Sequence, residues 1–249
     1  MDNANYVALS RQITLQRELD ISANNLANMN TTGFKFEQLL VNSQFGAPAY
    51  DDPIRTPANF AYDNGVGRNF KQGTLTQTGS PYDLALDGEG AFFSIQTANG
   101  TQYTRDGAFT VSQDGTLVTQ NGDTVLGDGG PIVLDPKNGD PVISQDGIVS
   151  QTQQGQTLRV GKISVVRVGN LSDMKKQGNG NFTLANGATT VPATDARVRQ
   201  GMLESSNVNP MVEITKLVQI NRAYSQISAI MEQNNTLNRT AVERLGKVA

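Results

Sequence analysis

Apolar positions fall into three regimes along the chain. Over residues 4–29, Ala8, Leu9, Ile13, Leu15, Leu19, Ala23, Leu26 and Ala27 recur near the 3.6 period. They predict an amphipathic helix with one broad apolar face, from which Arg11, Arg17 and Glu18 fall away. Thr31-Thr32-Gly33 reads as its stop, because glycine accepts the left-handed conformation that ends helices. Residues 36–81 sustain no period. Pro48, Pro53 and Pro57 break any helix there, Asp51-Asp52-Pro53 and Asn64-Gly65 read as turns, and the stretch is expected to be an irregular extended linker.

From Tyr82 to about Gln200 the period changes to that of short strands. Asx-Gly pairs recur at Asp87-Gly88, Asn99-Gly100, Asp106-Gly107, Asp114-Gly115, Asn121-Gly122, Asp128-Gly129, Asn138-Gly139 and Asp146-Gly147. Both residues of such pairs tolerate the positive φ of tight hairpins. Between and beyond them lie β-prone runs: 91–95, 108–111, 116–119, 132–134, 158–160 and 162–168. The last segment opens on Asn209-Pro210, a cap followed by a proline in the first turn. It then carries a seam, Leu217, Ile220, Tyr224, Ile227, Met231, Asn234, Asn238, Ala241, Leu245 and Val248, in alternating steps of three and four. Eight of these ten positions are apolar, which is a coiled-coil register, and the two asparagines are of the kind that fixes register at a cost in stability. A helix laid on the β body is the alternative.

The expected fold is therefore mainly β with terminal α-helices. Residues 1–35 and 201–249 supply the helices of a coiled-coil assembly domain, and 82–200 form a central β-rich domain of short strands and hairpins. The apolar groups on one seam offset only part of the entropy lost in ordering a helix this long. The termini are accordingly expected to be largely disordered in the monomer and to fold on assembly.

Composition narrows function mainly by exclusion. The chain of 249 residues has no Cys, His or Trp, which removes thiol nucleophiles, disulfides, Cys-ligated metals and every histidine base or ligand. Only 17% of residues are charged and the net charge is −3, so there is no electrostatic case for nucleic acid or an anionic membrane. Met1-Asp2-Asn3 is not basic and no apolar run follows, so no cleavable signal peptide is expected. No window reaches transmembrane length, so no direct membrane insertion is expected.

Candidate chemistry is sparse. Gly88-Glu89-Gly90 runs on into Ala91-Phe92-Phe93, which fails the dinucleotide fingerprint. Asp135 to Asp140 misses calcium-loop spacing, and Ser172-Asp173-Met174-Lys175 lacks the companions of a β-lactamase motif. Asp83, Asp87 and Glu89 offer a carboxylate pair for glycoside chemistry, or simply turn formers. Arg105 is either a ligand for a neighbouring subunit's carboxylate or a solvated hairpin residue. No metal, cofactor or enzymatic activity is expected.

Four sequence stretches carry a resemblance. They are Ala23-Asn24-Asn25-Leu26-Ala27-Asn28-Met29-Asn30-Thr31-Thr32-Gly33-Phe34-Lys35; Tyr103-Thr104-Arg105-Asp106-Gly107-Ala108-Phe109; the run from Gly115 to Gly122 with Val125-Leu126-Gly127; and Gly201 to Val208 with Asn221-Arg222-Ala223-Tyr224. In this order they resemble the flagellar axial family of rod and hook proteins. Length and the opening Tyr6-Val7-Ala8-Leu9-Ser10-Arg11-Gln12 are most like the proximal rod members, with distal rod members next. The resemblance implies a structural subunit of the basal-body rod in the periplasm, exported unfolded by the type III apparatus. It implies helical polymerisation with copies of itself and neighbouring rod proteins, terminal helices in an inner coiled-coil layer, and transmission of torque from motor to hook. It also implies an export element, Phe-x-x-x-apolar, which Phe36 and Leu40 fit. A cell-wall-active enzyme on a β scaffold and a secreted adhesin are the readings of other classes.

Overall fold

The computed structural model describes residues 2–45, 59–185 and 187–246. The chain divides into two compact units: residues 1–27, 37–68 and 209–249 form one, and residues 28–36 and 69–208 the other.

The first unit holds both helices. α1 spans Asp2–Ala27 and α2 spans Pro210–Gly246. Asn209 caps α2 as the sequence predicts, its Oδ1 accepting from the amides of Met211 at 3.1 Å and Val212 at 3.4 Å. The helices pack antiparallel. The Asn25 amide reaches Glu213 Oε2 at 3.1 Å, and Gln12 reaches the Ser228 hydroxyl at 3.4 Å, so residue numbers fall along α2 as they rise along α1.

The same unit contains a two-stranded antiparallel ribbon, β1 (Glu37–Phe45) and β2 (Asn59–Arg68), with Glu37 opposite Arg68 and Phe45 opposite Asn59. This corrects the reading of 36–81 as irregular over residues 37–45 and 59–68. Opposite Leu39-Leu40-Val41 the register shifts, and the extra residue of the bulge lies in β2 between Asp63 and Val66, where it interrupts the two-residue alternation. Asn64-Gly65 lies inside β2 rather than in a turn. Pro48, Pro53 and Pro57 and the turn expected at Asp51-Asp52-Pro53 lie outside the described residues.

The second unit is the β body. Its principal sheet is antiparallel and built on the central strand Ala91–Thr97, which pairs with Gly100–Thr104, Thr124–Gly127 and Val165–Val168. Successive side chains on that strand face opposite ways. Phe93 enters the larger core with Phe109 (centroids 5.1 Å apart), Leu84, Leu117, Val125 and Ile163. Phe92 enters a smaller cluster with Phe182, Met174, Val168 and Phe70. The predicted strands at 91–95, 108–111 and 116–119 form within one to two residues. Residues 132–134 do not form a strand. Ile132 and Leu134 are buried in the larger core from an irregular segment held by a single bridge, Thr116 to Val133. The run predicted over 162–168 breaks at Ile163, which is buried and bridges to Gly127.

Two short pairs bring distant parts of the sequence together. Arg197–Gln200 lies against Leu84–Asp87, and Met202–Glu204 against Leu75–Gln77.

Candidate assembly site

The second unit gathers three of the sequence stretches noted above around one buried carboxylate. Glu204, fully buried, accepts from Lys35 Nζ at 2.5 Å and from the Gly73 amide at 2.8 Å. Its other oxygen lies 3.3 Å from Arg105 Nη1, an ion-pair approach without hydrogen-bond geometry. The Glu204 carbonyl accepts from the Gly33 amide at 2.8 Å. Arg105, only 1% exposed, donates to the carbonyls of Leu86 (3.1 Å) and Gly88 (2.7 Å) and lies over the Phe92 ring. Lys35 also donates to the Lys71 carbonyl at 2.9 Å. Three residues on, Asn207 accepts from the Phe36 amide at 2.7 Å and donates to the carbonyls of Asn69 and Lys71.

Burial is the dominant influence on both cations. Desolvation holds the Lys35 ammonium and the Arg105 guanidinium below their ordinary pKa ranges, and Glu204 opposes that shift without cancelling it.

Close backbone contact completes the cluster. Gly33 has φ +67, and a Cβ there would sit 2.5 Å from the main chain of Arg105 and Asp106. Gly107 has no positive φ, yet its Cβ would lie 1.6 Å from the Leu84 carbonyl oxygen. Its role is close approach rather than the turn freedom that Asp106-Gly107 suggested. Gly33 is likewise not the helix stop, because α1 ends at Ala27, six residues earlier.

The first unit has its own polar node. Asn25, fully buried, donates to the Glu37 carbonyl at 2.7 Å as well as to Glu213, and accepts from the Glu37 amide at 3.0 Å. Arg68 pairs with Glu37 at 2.7 Å, and Arg17 pairs with Asp63.

Three family models match parts of the chain: Flagella basal body rod protein over residues 6–35, Flagellar hook protein FlgE/F/G D1 domain over 85–151, and Flagellar basal body rod FlgEFG protein C-terminal over 199–244. The flagellar basal-body rod protein FlgF of Caulobacter vibrioides is 51% identical over 249 residues, covering all of both chains. The chain belongs to the flagellar basal-body rod protein family. Its likeness is to the FlgF type: FlgF of Mesorhizobium japonicum is 36% identical over 99% of each chain, whereas FlgG of Caulobacter vibrioides is 33% identical over 90% of this chain and 92% of its own.

Within this FlgF-type chain the two faces read from the sequence fare differently. On α2 the seam positions Leu217, Tyr224, Ile227, Met231, Asn234, Asn238 and Ala241 are half-buried and Ile220 is buried, while most neighbouring positions are exposed. Asn234 and Asn238 thus share the seam with its apolar residues. Nothing is described of the Leu245 side chain, and Val248 lies outside the described residues.

On α1 the single broad face splits. Leu15 is buried and Leu19 and Leu26 are half-buried, but Leu9 and Ile13 are exposed. The buried stripe runs instead through Leu15, Ser22 and Asn25, with Arg11 and Glu18 half-buried on the same rows. A count of apolar residues misses a stripe that buries serine and asparagine.

The signature residues occupy different environments. Asn24 and Ala27 are exposed, and Asn28 accepts from the Thr31 hydroxyl. Thr32 donates to Asp106 at 2.6 Å, and Phe34 is buried beneath the Lys176 ammonium. Phe36 is half-buried with both backbone groups bonded, and Leu40 is exposed on β1. Arg105 is neither a solvated hairpin residue nor open to another subunit. Glu204 and Asn207 stood in the Gly201–Val208 stretch with no individual role assigned and Glu213 in none; their partners lie far away in the chain. Of the sequence's candidate carboxylates, Asp83 and Asp87 hold Thr78 and Arg199 respectively, and Glu89 is exposed.

Asp106 yields a pH prediction. Desolvation holds its carboxyl above the usual carboxylate range, against hydrogen bonds from Thr32 and the Ala108 amide. The folded pKa therefore exceeds the unfolded one, so the native state binds more protons between them and stability falls as pH rises through that window. Asp106→Asn, which keeps both accepted bonds, is expected to remove that slope and to stabilise the body at neutral pH. Urea melts at a series of pH values above 3.8 check it.

Proposed function

We propose that this FlgF-type chain is a structural, non-catalytic subunit of the flagellar basal-body rod, in its proximal part. It polymerises helically with copies of itself and neighbouring rod proteins into the shaft that carries torque from motor to hook. In this reading α1 and α2 join an inner coiled-coil layer, and the chain reaches the periplasm through the type III apparatus. The termini order fully only as copies associate.

The observation that carries the reading is the apolar surface left on the helices once α1 and α2 have packed. Tyr6, Leu9 and Ile13 recur at i, i+3 and i+7 on α1, and Met211, Ile214 and Val218 do so on α2, all exposed. Ile230, Leu237 and Val242 continue exposed apolar surface along α2. Heptad-spaced stripes on a helix pair suit further helices rather than a substrate.

The decisive experiment is electron microscopy of hook–basal bodies from a strain lacking the chain. Truncated or absent rods are expected, restored by the full chain but not by one missing residues 211–249; intact rods and hooks would overturn the assignment. A finer variant is Ile13→Asp. Ile13 is 59% exposed, so stability of the isolated chain should change by less than about 0.5 kcal/mol while motility is lost. A motile Ile13→Asp strain would separate that stripe from assembly.

A distal-rod position is favoured by one observation, the 33% identity to FlgG over most of the chain. Rods that end short of their distal segment, with the proximal one intact, would select it.

For export, Phe36→Ala is expected to lower secretion at unchanged expression, and unchanged secretion removes the Phe36–Leu40 element from the proposal.

A further inference from the structure

We propose that the Glu204 carboxylate is a charge gate for the N-terminal signature segment: residues 28–36 dock into the β body only when the strand bearing Glu204 is in place. The inference goes beyond rod assembly, since it concerns how one chain closes on itself. Residues 28–36 lie outside both apolar clusters of the body, and only Phe34 among their apolar side chains is buried against it. Arg105 already has the carbonyls of Leu86 and Gly88 and the Phe92 ring. Docking the segment adds a second buried cation, Lys35, beside it.

Two cations then share one buried carboxylate, contributed from 169 residues beyond Lys35. The other carboxylate that acts on both, Glu89, is exposed and acts only through space. Without Glu204 the docked segment would bury Lys35 against Arg105 with no anion, and an uncompensated buried charge opposes docking strongly. With Glu204, the same strand also supplies the carbonyl for Gly33, and Asn207 supplies the acceptor for Phe36. The two ends of the β body's sequence thus close on one strand and its carboxylate.

Hydrogen exchange on the full chain tests this, reading the Gly33 and Phe36 amides with Phe93 and Ile95 as in-chain controls. Glu204→Gln keeps the shape, the main-chain acceptor and Asn207 but removes the charge. It is expected to lower protection of 28–36 at least tenfold, with the controls unchanged. Lys35→Met, which leaves a balanced Arg105–Glu204 pair, should retain protection within threefold, and Lys35→Met with Glu204→Gln should restore most of what the single Gln change loses. If Lys35→Met alone undocks the segment, or Glu204→Gln leaves it protected, the cluster is ordinary packing and the gate is wrong. Lys35→Met decides the matter even where Glu204→Gln fails to fold.

Discussion

Arg105→Leu is expected to destabilise the β body by about 3–5 kcal/mol, the range for removing one partner of a buried charged cluster. The side chain is 1% exposed, so no water replaces what is lost. The Gly88 carbonyl loses its guanidinium donor, Leu86 keeps only the Gln72 amide, and Glu204 loses one of its two cations; an acceptor left unsatisfied costs about 1–3 kcal/mol. Leucine fills part of the volume over Phe92 but restores none of these bonds. Urea melts followed by tyrosine fluorescence would read the loss. A change below about 1 kcal/mol would mean that the guanidinium is not holding the turn at Leu86–Gly88.

Gly33→Ala is the second large expectation. The residue has φ +67, which costs an L side chain about 1–2 kcal/mol by itself. The added methyl would also lie 2.5 Å from backbone atoms of Arg105 and Asp106, and backbone in a packed sheet yields less than the end of a side chain. The two costs add, so the signature segment should leave its site, exposing Phe34 and breaking the Thr32–Asp106 and Lys35–Glu204 contacts together. Limited trypsin digestion reads this directly as new cleavage after Lys35. Gly129→Ala, whose Cβ meets nothing within 4 Å, is the matched control and should shift stability by less than about 0.5 kcal/mol. Equal trypsin resistance of the two variants would show that the close approach at Gly33 is not required.

Both expectations rest on contacts between residues far apart in the chain, and that is where sequence reading stops. Lys35, Arg105 and Glu204 each stood inside a recognised stretch, yet no spacing rule relates positions 35, 105 and 204. Arg105 after a Tyr-Thr pair and before Asp-Gly looks like any hairpin arginine. Its burial follows from Phe92 below it and Glu204 beside it, which only the folded sheet supplies. On α1 the apolar pattern placed Leu9, Ile13 and Leu15 together, whereas the packed helix turns Leu15 inward with Ser22 and Asn25 and leaves Leu9 and Ile13 outside. Asn25 can be buried there because its amide and carbonyl are met by Glu37 and Glu213, so burying it carries little desolvation cost.

Local chemistry made much of the rest legible. The Asn209-Pro210 cap, the three-four stepping of Leu217 to Ala241 and the β-prone run over 91–95 depend on neighbours within one or two turns of chain, and each was readable from the sequence. The order of the signature stretches also carried the family, since none of them needs a contact to be recognised. Tertiary structure alone decided which side chains those elements bury. It paired residues 37–45 with 59–68 across a bulge in the second strand, made Gly33 a point of close approach as well as a left-handed residue, and made Gly107 a close approach instead of a turn glycine. It also closed both ends of the β body's sequence on a single carboxylate. Long-range pairings are set by which buried polar groups can satisfy one another in three dimensions, and a linear pattern holds no record of that.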